Sequence, residues 1–387
     1  MKARRFLAVG AASLGLALVL QTALVAVQAQ DSTPAVTPAP AATAAATEVT
    51  AADFTPTNLI KIANDLGAAT QGKVADPSTV RLAIVVNVLS PFWTAAAIGE
   101  QRASSELGAP VVFEAPDNTN SIASQQSILE SLVTDQYSGV AFSAVDPASV
   151  VNVVKEGMAA KTNFVLMDSD SPDSGRPLYI GLNNYNGGVL AAKAMLTALD
   201  NGAKCGKVYG FVGFITAQNA IDRIQGIKDT FKGTNCTLDN VLVDNGDPSK
   251  ALSNAETAIT TYPDAAGFIG LYSYDGPAIG QALISAGKVG QIKLVSFDLE
   301  PGTIAQLKQS PSPVSAAIGQ RVYYYGYLDI YSLYAMSAIG TDATLKVLDP
   351  YLSGPKHDSI DTGADIVTPD NLPAYEDYLS SLGIKSQ

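Results

Sequence analysis

The chain has little of what most catalytic centres are built from. It carries one histidine, His357, two cysteines, Cys205 and Cys236, and one tryptophan, Trp93, in 387 residues. A lone histidine excludes a multi-histidine metal centre, and His357 sits in a polar, loop-like stretch, Gly354-Pro-Lys-His-Asp-Ser359. No metal site and no cofactor are expected. There is no Gly-x-Ser-x-Gly elbow either, so a secreted α/β hydrolase would lack both its nucleophile turn and a well-placed base. Basic residues are scarce, 24 against 36 acidic, for a net charge of −12. Nucleic-acid binders present a basic face, so no such partner is expected, and the acidic surplus reads as solubility. Beyond the first thirty residues, no apolar run is long enough to cross a bilayer.

The first residues are different. A basic stretch, Met1-Lys-Ala-Arg-Arg5, precedes a charge-free run from Phe6 to Val27, and Val27-Gln-Ala29 closes it with small residues at the positions a signal peptidase reads. Residues 1–29 therefore read as a secretory signal, with an uncleaved anchor as the alternative. The chain is expected to be exported, to a periplasm, cell surface or extracellular space. The absence of cysteine near residue 29 argues against a lipid anchor. Removal of Lys2, Arg4 and Arg5 from the 24 basic residues leaves 21 against 36 acidic, a net charge of −15. Residues 30–80 read as an Ala/Thr/Pro-rich tether, most biased from 31 to about 57, which buries too little apolar surface to offset its ordering entropy. In an exported chain an even pair of cysteines points to a disulfide, Cys205–Cys236.

From Arg81 onward short β-branched runs alternate with helix-period segments. Leu82-Ala-Ile-Val-Val-Asn87 is nearly continuous in apolar residues, as in a strand buried on both faces of a parallel sheet. Further strands are expected at 111–113, 139–142, 163–167 and 178–180, then at 207–212, 238–243, 267–271 and 293–297, with helices between them. Two such series predict an α/β fold of two doubly wound parallel-sheet lobes.

In open α/β sheets ligands sit beyond the carboxyl ends of the strands. Polar and aromatic residues stand there: Asn87, Ser90, Phe92 and Trp93; Asp168; Asn184; Arg223; Tyr272, Tyr274 and Asp275; Asp298; Gln320. Carboxylates, amides and one guanidinium suit a polyol, whose hydroxyls each donate and accept. Aromatic rings suit the apolar face of a sugar ring.

The stretch 82–375 resembles the type I periplasmic binding proteins of sugar ABC transporters, in the ribose- and galactose-binding group. The resemblance rests on Ser90-Pro-Phe-Trp93, Asp168-Ser-Asp-Ser-Pro-Asp173 leading to Gly181-Leu-Asn-Asn184, and Ala217-Gln-Asn-Ala-Ile-Asp-Arg-Ile-Gln-Gly226. It continues through Tyr262-Pro-Asp264, Tyr272-Ser-Tyr-Asp275, Ser296-Phe-Asp298 and Ala317-Ile-Gly-Gln320. It implies a three-strand hinge between an N-terminal lobe (81–182 and 320–363) and a C-terminal lobe (183–319 and 364–387). It implies stacking by Phe92 and Trp93, and polar contacts from Asp168, Arg223, Asp298 and Gln320, with Asn87 or Ser90 serving from the first loop. The family carries Arg after the Asp168 position, where this chain has Ser169, and an aromatic near Asp244-Asn-Gly-Asp247, where it has none. The second stacking ring therefore falls to Tyr272 or Tyr274. By this resemblance the chain is a monomeric, non-enzymatic binding protein that hands a sugar to an ABC permease. A receptor feeding a chemoreceptor or sensor kinase is the alternative. A regulator with the same fold would need an N-terminal helix-turn-helix where the signal and tether stand.

Overall fold

The computed structural model describes residues 49–117 and 121–385. The secretory signal and the most biased part of the tether lie outside the described residues. The folded body starts earlier than expected. Ala51–Phe54 forms a 3-10 turn, and Thr57–Thr70 forms a helix, α1, where a tether was expected. Leu59, Ile62, Ala63 and Leu66 recur at helical spacing and are buried in the first-lobe core. Phe54 is buried against Tyr375 and Tyr378, with ring centroids 5.1 and 6.3 Å away. One apolar stripe was enough to order this segment against larger partners.

The first lobe runs β1 (Leu82–Val85), α2 (Thr94–Leu107), β2 (Val111–Glu114), α3 (Ser121–Thr134), β3 (Gly139–Phe142), α4 (Val151–Ala159), β4 (Asn163–Met167) and β5 (Leu178–Gly181). The second runs α5 (Asn184–Ala198), β6 (Lys207–Val212), α6 (Gln218–Phe231), β7 (Thr237–Val243), α7 (Pro248–Thr261), β8 (Gly267–Gly270), α8 (Asp275–Ser285), β9 (Lys293–Phe297), α9 (Pro301–Leu307) and β10 (Ala316–Gln320). The chain returns to the first lobe for α10 (Val322–Ile339), α11 (Thr341–Leu348) and β11 (Ser359–Asp361), and to the second for β12 (Ala364–Val367) and α12 (Leu372–Ser381).

The first sheet has the order β11-β5-β4-β3-β1-β2, all parallel, and the second β12-β10-β9-β8-β6-β7. Both lobes thus share one winding order, with the direction reversing at β1 and at β6. The strand β12 departs from the all-parallel expectation, pairing antiparallel to β10. Only two residues separate it from β11 of the first sheet, so it enters the second sheet directly from a crossing and not through a helix packed on that sheet. The β1 residues alternate between two cores, Leu82 and Ile84 facing one and Ala83 and Val85 the other. In the second lobe Tyr209 and Phe211 of β6 face one core, Val208 and Val212 the other. Each sheet is therefore covered on both faces, as the continuous apolar runs required.

A matched device joins one helix pair in each lobe. A Cβ on Gly99 of α2 or on Gly326 of α10 would strike the other helix's backbone, at Tyr323 and Ala96 respectively. The same holds for Gly188 of α5 and Gly226 of α6, against Arg223 and Tyr185. Side-chain-free positions let these helix pairs cross at backbone contact. Three chain crossings link the lobes, at 182–183, 321 and 362–363. They are tied together: Asp361 Oδ1 accepts from Asn183 N and Gly363 N, both at 2.9 Å, and Arg321 pairs with Asp365 at 2.8 Å while donating to the Thr362 carbonyl.

Candidate ligand-binding cleft

The carboxyl ends of both sheets face one cavity lined by residues of both lobes. From the first lobe come Asn87, Val88, Ser90, Phe92, Trp93 and Asp168. From the second come Phe214, Asn219, Arg223, Tyr272, Ser273, Tyr274 and Asp298, with Gln320 at a crossing. All sequence-derived candidates except Asn184 and Asp275 line it.

Asp168 and Asp298 occupy equivalent places, one residue past the fourth strand of each lobe. Both have left-handed backbones, φ 53° and 67°. A turn of this kind, which Asp tolerates better than most residues, ends the strand and leaves the carboxyl at the sheet's edge. Asp168 Oδ2 accepts from Ser143 Oγ at 2.9 Å and from Asn87 Nδ2 at 3.4 Å, and Asn219 Nδ2 reaches it from the other lobe at 3.5 Å. Asp298 accepts from Gln320 Nε2 at 3.1 Å. Gln320 Oε1 in turn accepts from Tyr325 of α10 at 2.9 Å, whose hydroxyl also accepts from Leu182 N. Tyr325 of α10 thus orients a cleft residue.

Arg223 is 1 % exposed and centres the charge. Its Nε donates to Asn184 Oδ1 at 2.8 Å and its Nη1 to the Leu271 carbonyl at 2.6 Å, and the guanidinium lies 4.2 Å from the Phe297 ring centroid. Its Nη2, 3.9 Å from Asp168 Oδ1, is buried without a hydrogen-bond acceptor. A buried cationic N–H without an acceptor is costly, and this one belongs to a residue of the cavity wall. Burial pushes the Asp298 carboxyl up to about 7, against the opposing pull of Arg223 and Gln320. Burial also raises Asp168, again opposed by Arg223.

Two candidates stand behind the wall. Asn184 holds Arg223 through Oδ1 and donates from Nδ2 to the Asp168 carbonyl at 3.0 Å. Asp275 is fully buried, and its Oδ2 accepts from Tyr272 N at 2.9 Å. The strand-end rule places a residue at the right edge without saying which way its side chain turns. Phe214, Ser273 and Val88 were missed, although each follows a strand as Phe92 does.

Aromatic rings form two groups. Phe92 and Trp93 meet edge to face at 4.8 Å, and Tyr272 contacts Phe214 at 6.5 Å and Tyr274 at 6.2 Å. The tyrosine hydroxyls are committed elsewhere, Tyr272 to Asn219 Oδ1 at 3.0 Å and Tyr274 to Asp244 Oδ1 at 2.8 Å.

The family model described as a periplasmic binding protein domain matches residues 82–342. The chain belongs to the periplasmic binding protein family. The structure of an ABC transporter solute-binding protein from Burkholderia graminis, in complex with D-arabinose, superposes on this periplasmic binding protein with a TM-score of 0.70. It is 28% identical, and the match covers 78% of this chain and 99% of that one. A sugar-binding protein of a sugar ABC transporter from Bacillus halodurans gives 0.63 at 25% identity, over 76% and 99%. The D-ribose/D-allose-binding protein of Pseudomonas aeruginosa is 25% identical over 185 residues, 46% of this chain and only 56% of that protein. The cysteines are bonded as expected, Cys205 to Cys236. Among the described residues no helix is long and apolar enough to cross a membrane.

Proposed function

We propose that this periplasmic binding protein captures one neutral monosaccharide in its interlobe cleft, outside the cytoplasm, and presents it to an ABC permease without chemical change. The observation that carries this reading is the lining of the cavity. Two buried carboxylates and Arg223 Nη2, which has no hydrogen-bond acceptor, converge there between aromatic rings from both lobes. Carboxylates accept from sugar hydroxyls, the guanidinium donates to a hydroxyl or ring oxygen, and rings cover the C–H face. Asn87, Ser90, Phe92, Trp93, Asp168, Arg223, Tyr272, Asp298 and Gln320 are the proposed contacts, with Asn184 and Asp275 holding them. The net charge disfavours anionic sugars. The protein acts as a monomer.

Calorimetry against D-arabinose, D-ribose and D-allose tests this directly. One-to-one binding of at least one pentose or hexose is expected; no heat with any neutral sugar in a broad panel sinks the reading. Trp93 is the sole tryptophan and lies 2 % exposed at the cavity. Its emission should therefore shift on binding. A calorimetric ligand that leaves the emission unchanged removes Trp93 from the contact set.

Neither lobe alone supplies enough partners for a ring of hydroxyls, so ligand favours the closed form by bridging both. The three crossings confine the rotation to a few residues, as in other hinge closures. Small-angle scattering should show a smaller radius of gyration with saturating sugar. Equal radii, both compact, would replace hinge closure by a rigid pocket.

A further inference from the structure

Behind the Tyr272–Tyr274 wall lie two carboxyl groups that take no direct part in lining the cleft. Asp244 follows β7 and Asp275 opens α8; they are 1 % and 0 % exposed. One oxygen of each is well supplied. Asp244 Oδ1 accepts from the Tyr274 hydroxyl at 2.8 Å and from Gly246 N at 2.9 Å, and Asp275 Oδ2 from Tyr272 N at 2.9 Å. The remaining oxygens, Asp244 Oδ2 and Asp275 Oδ1, are buried and meet no N–H or O–H donor. The two carboxyls instead lie close enough that each acts on the other. Two acceptors can bond only if one carries a proton, and two such groups cannot both be ionised at close range without large cost.

We propose that Asp244 and Asp275 share one proton and are the positioning residues of the cleft's tyrosine wall, which loosens when that proton is lost. The inference deepens the sugar-binding reading and rests on it only for its functional consequence. Two of these bonds run to the wall itself: Asp244 holds the Tyr274 ring by its hydroxyl and Asp275 holds the loop at the Tyr272 amide. Asp275 is the protonated partner. Burial and the neighbouring Asp244 charge raise it well above the carboxylate range. Burial raises Asp244 too, but the Tyr274 and Gly246 donors and the exposed Lys250 pull it back. The other titratable groups facing the pair are Tyr272 and Tyr274, both raised by burial and so neutral below strongly alkaline pH.

The sign follows from the raised Asp275. Its stabilising contribution is whole below the ordinary carboxylate range and is lost as pH rises through the folded-state value. Asp275→Asn supplies an amide N–H where the acid O–H stood, keeps an oxygen for Tyr272 N, and has no proton to lose. Thermal unfolding without sugar, from about pH 5 to about pH 9, should show wild type losing several degrees relative to Asp275→Asn as pH rises. Near-ultraviolet tyrosine circular dichroism over the same range should change in wild type and stay flat in the variant. Asp275→Ala, which cannot bridge, should show the altered dichroism at every pH. A constant difference between the two unfolding profiles overturns the shared proton. A sloped difference with unchanged dichroism overturns the positioning role. D-arabinose calorimetry in parallel keeps the two readings apart: absence of sugar binding counts against the function, while the ligand-free measurements still decide the pair.

Discussion

Arg223→Met is expected to lower sugar affinity roughly a hundred- to several-thousandfold while the protein stays folded. Among the described residues Arg223 is the only Lys or Arg lining the cavity, and both cleft carboxylates feel its charge. Removing one partner of a buried charge cluster costs about 3–5 kcal/mol, because the opposite charge is left uncompensated, and each ~1.4 kcal/mol is tenfold in affinity. Methionine keeps most of the volume, so packing against Phe297 survives. Arg223→Lys should recover only part of the loss. The three N–H groups of an ammonium sit on one nitrogen and do not reproduce the planar fork that spans Asn184 Oδ1, the Leu271 carbonyl and the cavity. The variant should also bind with an altered pH profile. Arg223 now pulls Asp298 down toward about 7. Without it that carboxyl stays protonated to higher pH and accepts fewer hydroxyls, so residual binding should improve on going alkaline. Calorimetry at two pH values measures both effects; affinity within threefold of wild type at both removes Arg223 from the site.

The residues in that argument show what a sequence of this kind makes legible. Asp298 stands at the cavity because an α/β sheet gathers polar residues at one edge, and the apolar runs of β1, β4, β6 and β9 show where that edge is; Arg223, inside α6, was singled out by the family resemblance. The direction of a side chain past the strand end is a different matter. Asp275 is one residue from Tyr274, yet its carboxyl turns into the protein while the tyrosine lines the cleft. Which way each turns depends on Asp244, thirty-one positions upstream in sequence and supplied by another strand. Asn184 likewise needed Arg223 to be in place before its role as a support could be seen.

The helix α1 was missed for a related reason. Composition averaged over 30–80 is that of a tether, but Leu59, Ile62, Ala63 and Leu66 form a stripe whose partner surface, α10, lies more than 250 residues away. A short helix gains most of its stability from such tertiary packing rather than from its own propensity. Phe54 makes the same point, since it is ordered by Tyr375 and Tyr378 of α12. The antiparallel β12 was hidden because its strand of four residues, Ala364–Val367, is defined by the crossing that precedes it rather than by any pattern of its own.

Reducing the Cys205–Cys236 bond, or replacing both residues with serine, should cost roughly 3–4 kcal/mol of stability in the chain-entropy account for a loop of this size. The bonded residues are 31 positions apart, with Cα atoms 4.7 Å apart. The bond spans β6 and α6 and closes just before β7, so the loop it closes contains the strand and the helix that carry Asn219 and Arg223. Adjacent parallel strands β6 and β7 bring the cysteines together at their amino ends, where Lys207 pairs with Thr237. The cleft lies at the opposite, carboxyl end of those strands. The bond should therefore stabilise the second lobe without shaping the site. Cys236 is 2 % exposed within the second-lobe core, so serine there also loses apolar contact and alanine is the cleaner replacement. The Cys205→Ala/Cys236→Ala double variant is expected to unfold at lower denaturant with sugar affinity close to wild type when measured well below its transition. An unchanged unfolding midpoint would show that the loop adds nothing to the denatured chain's freedom. A large loss of affinity in the folded variant would instead tie the bond to the placement of α6 and Arg223.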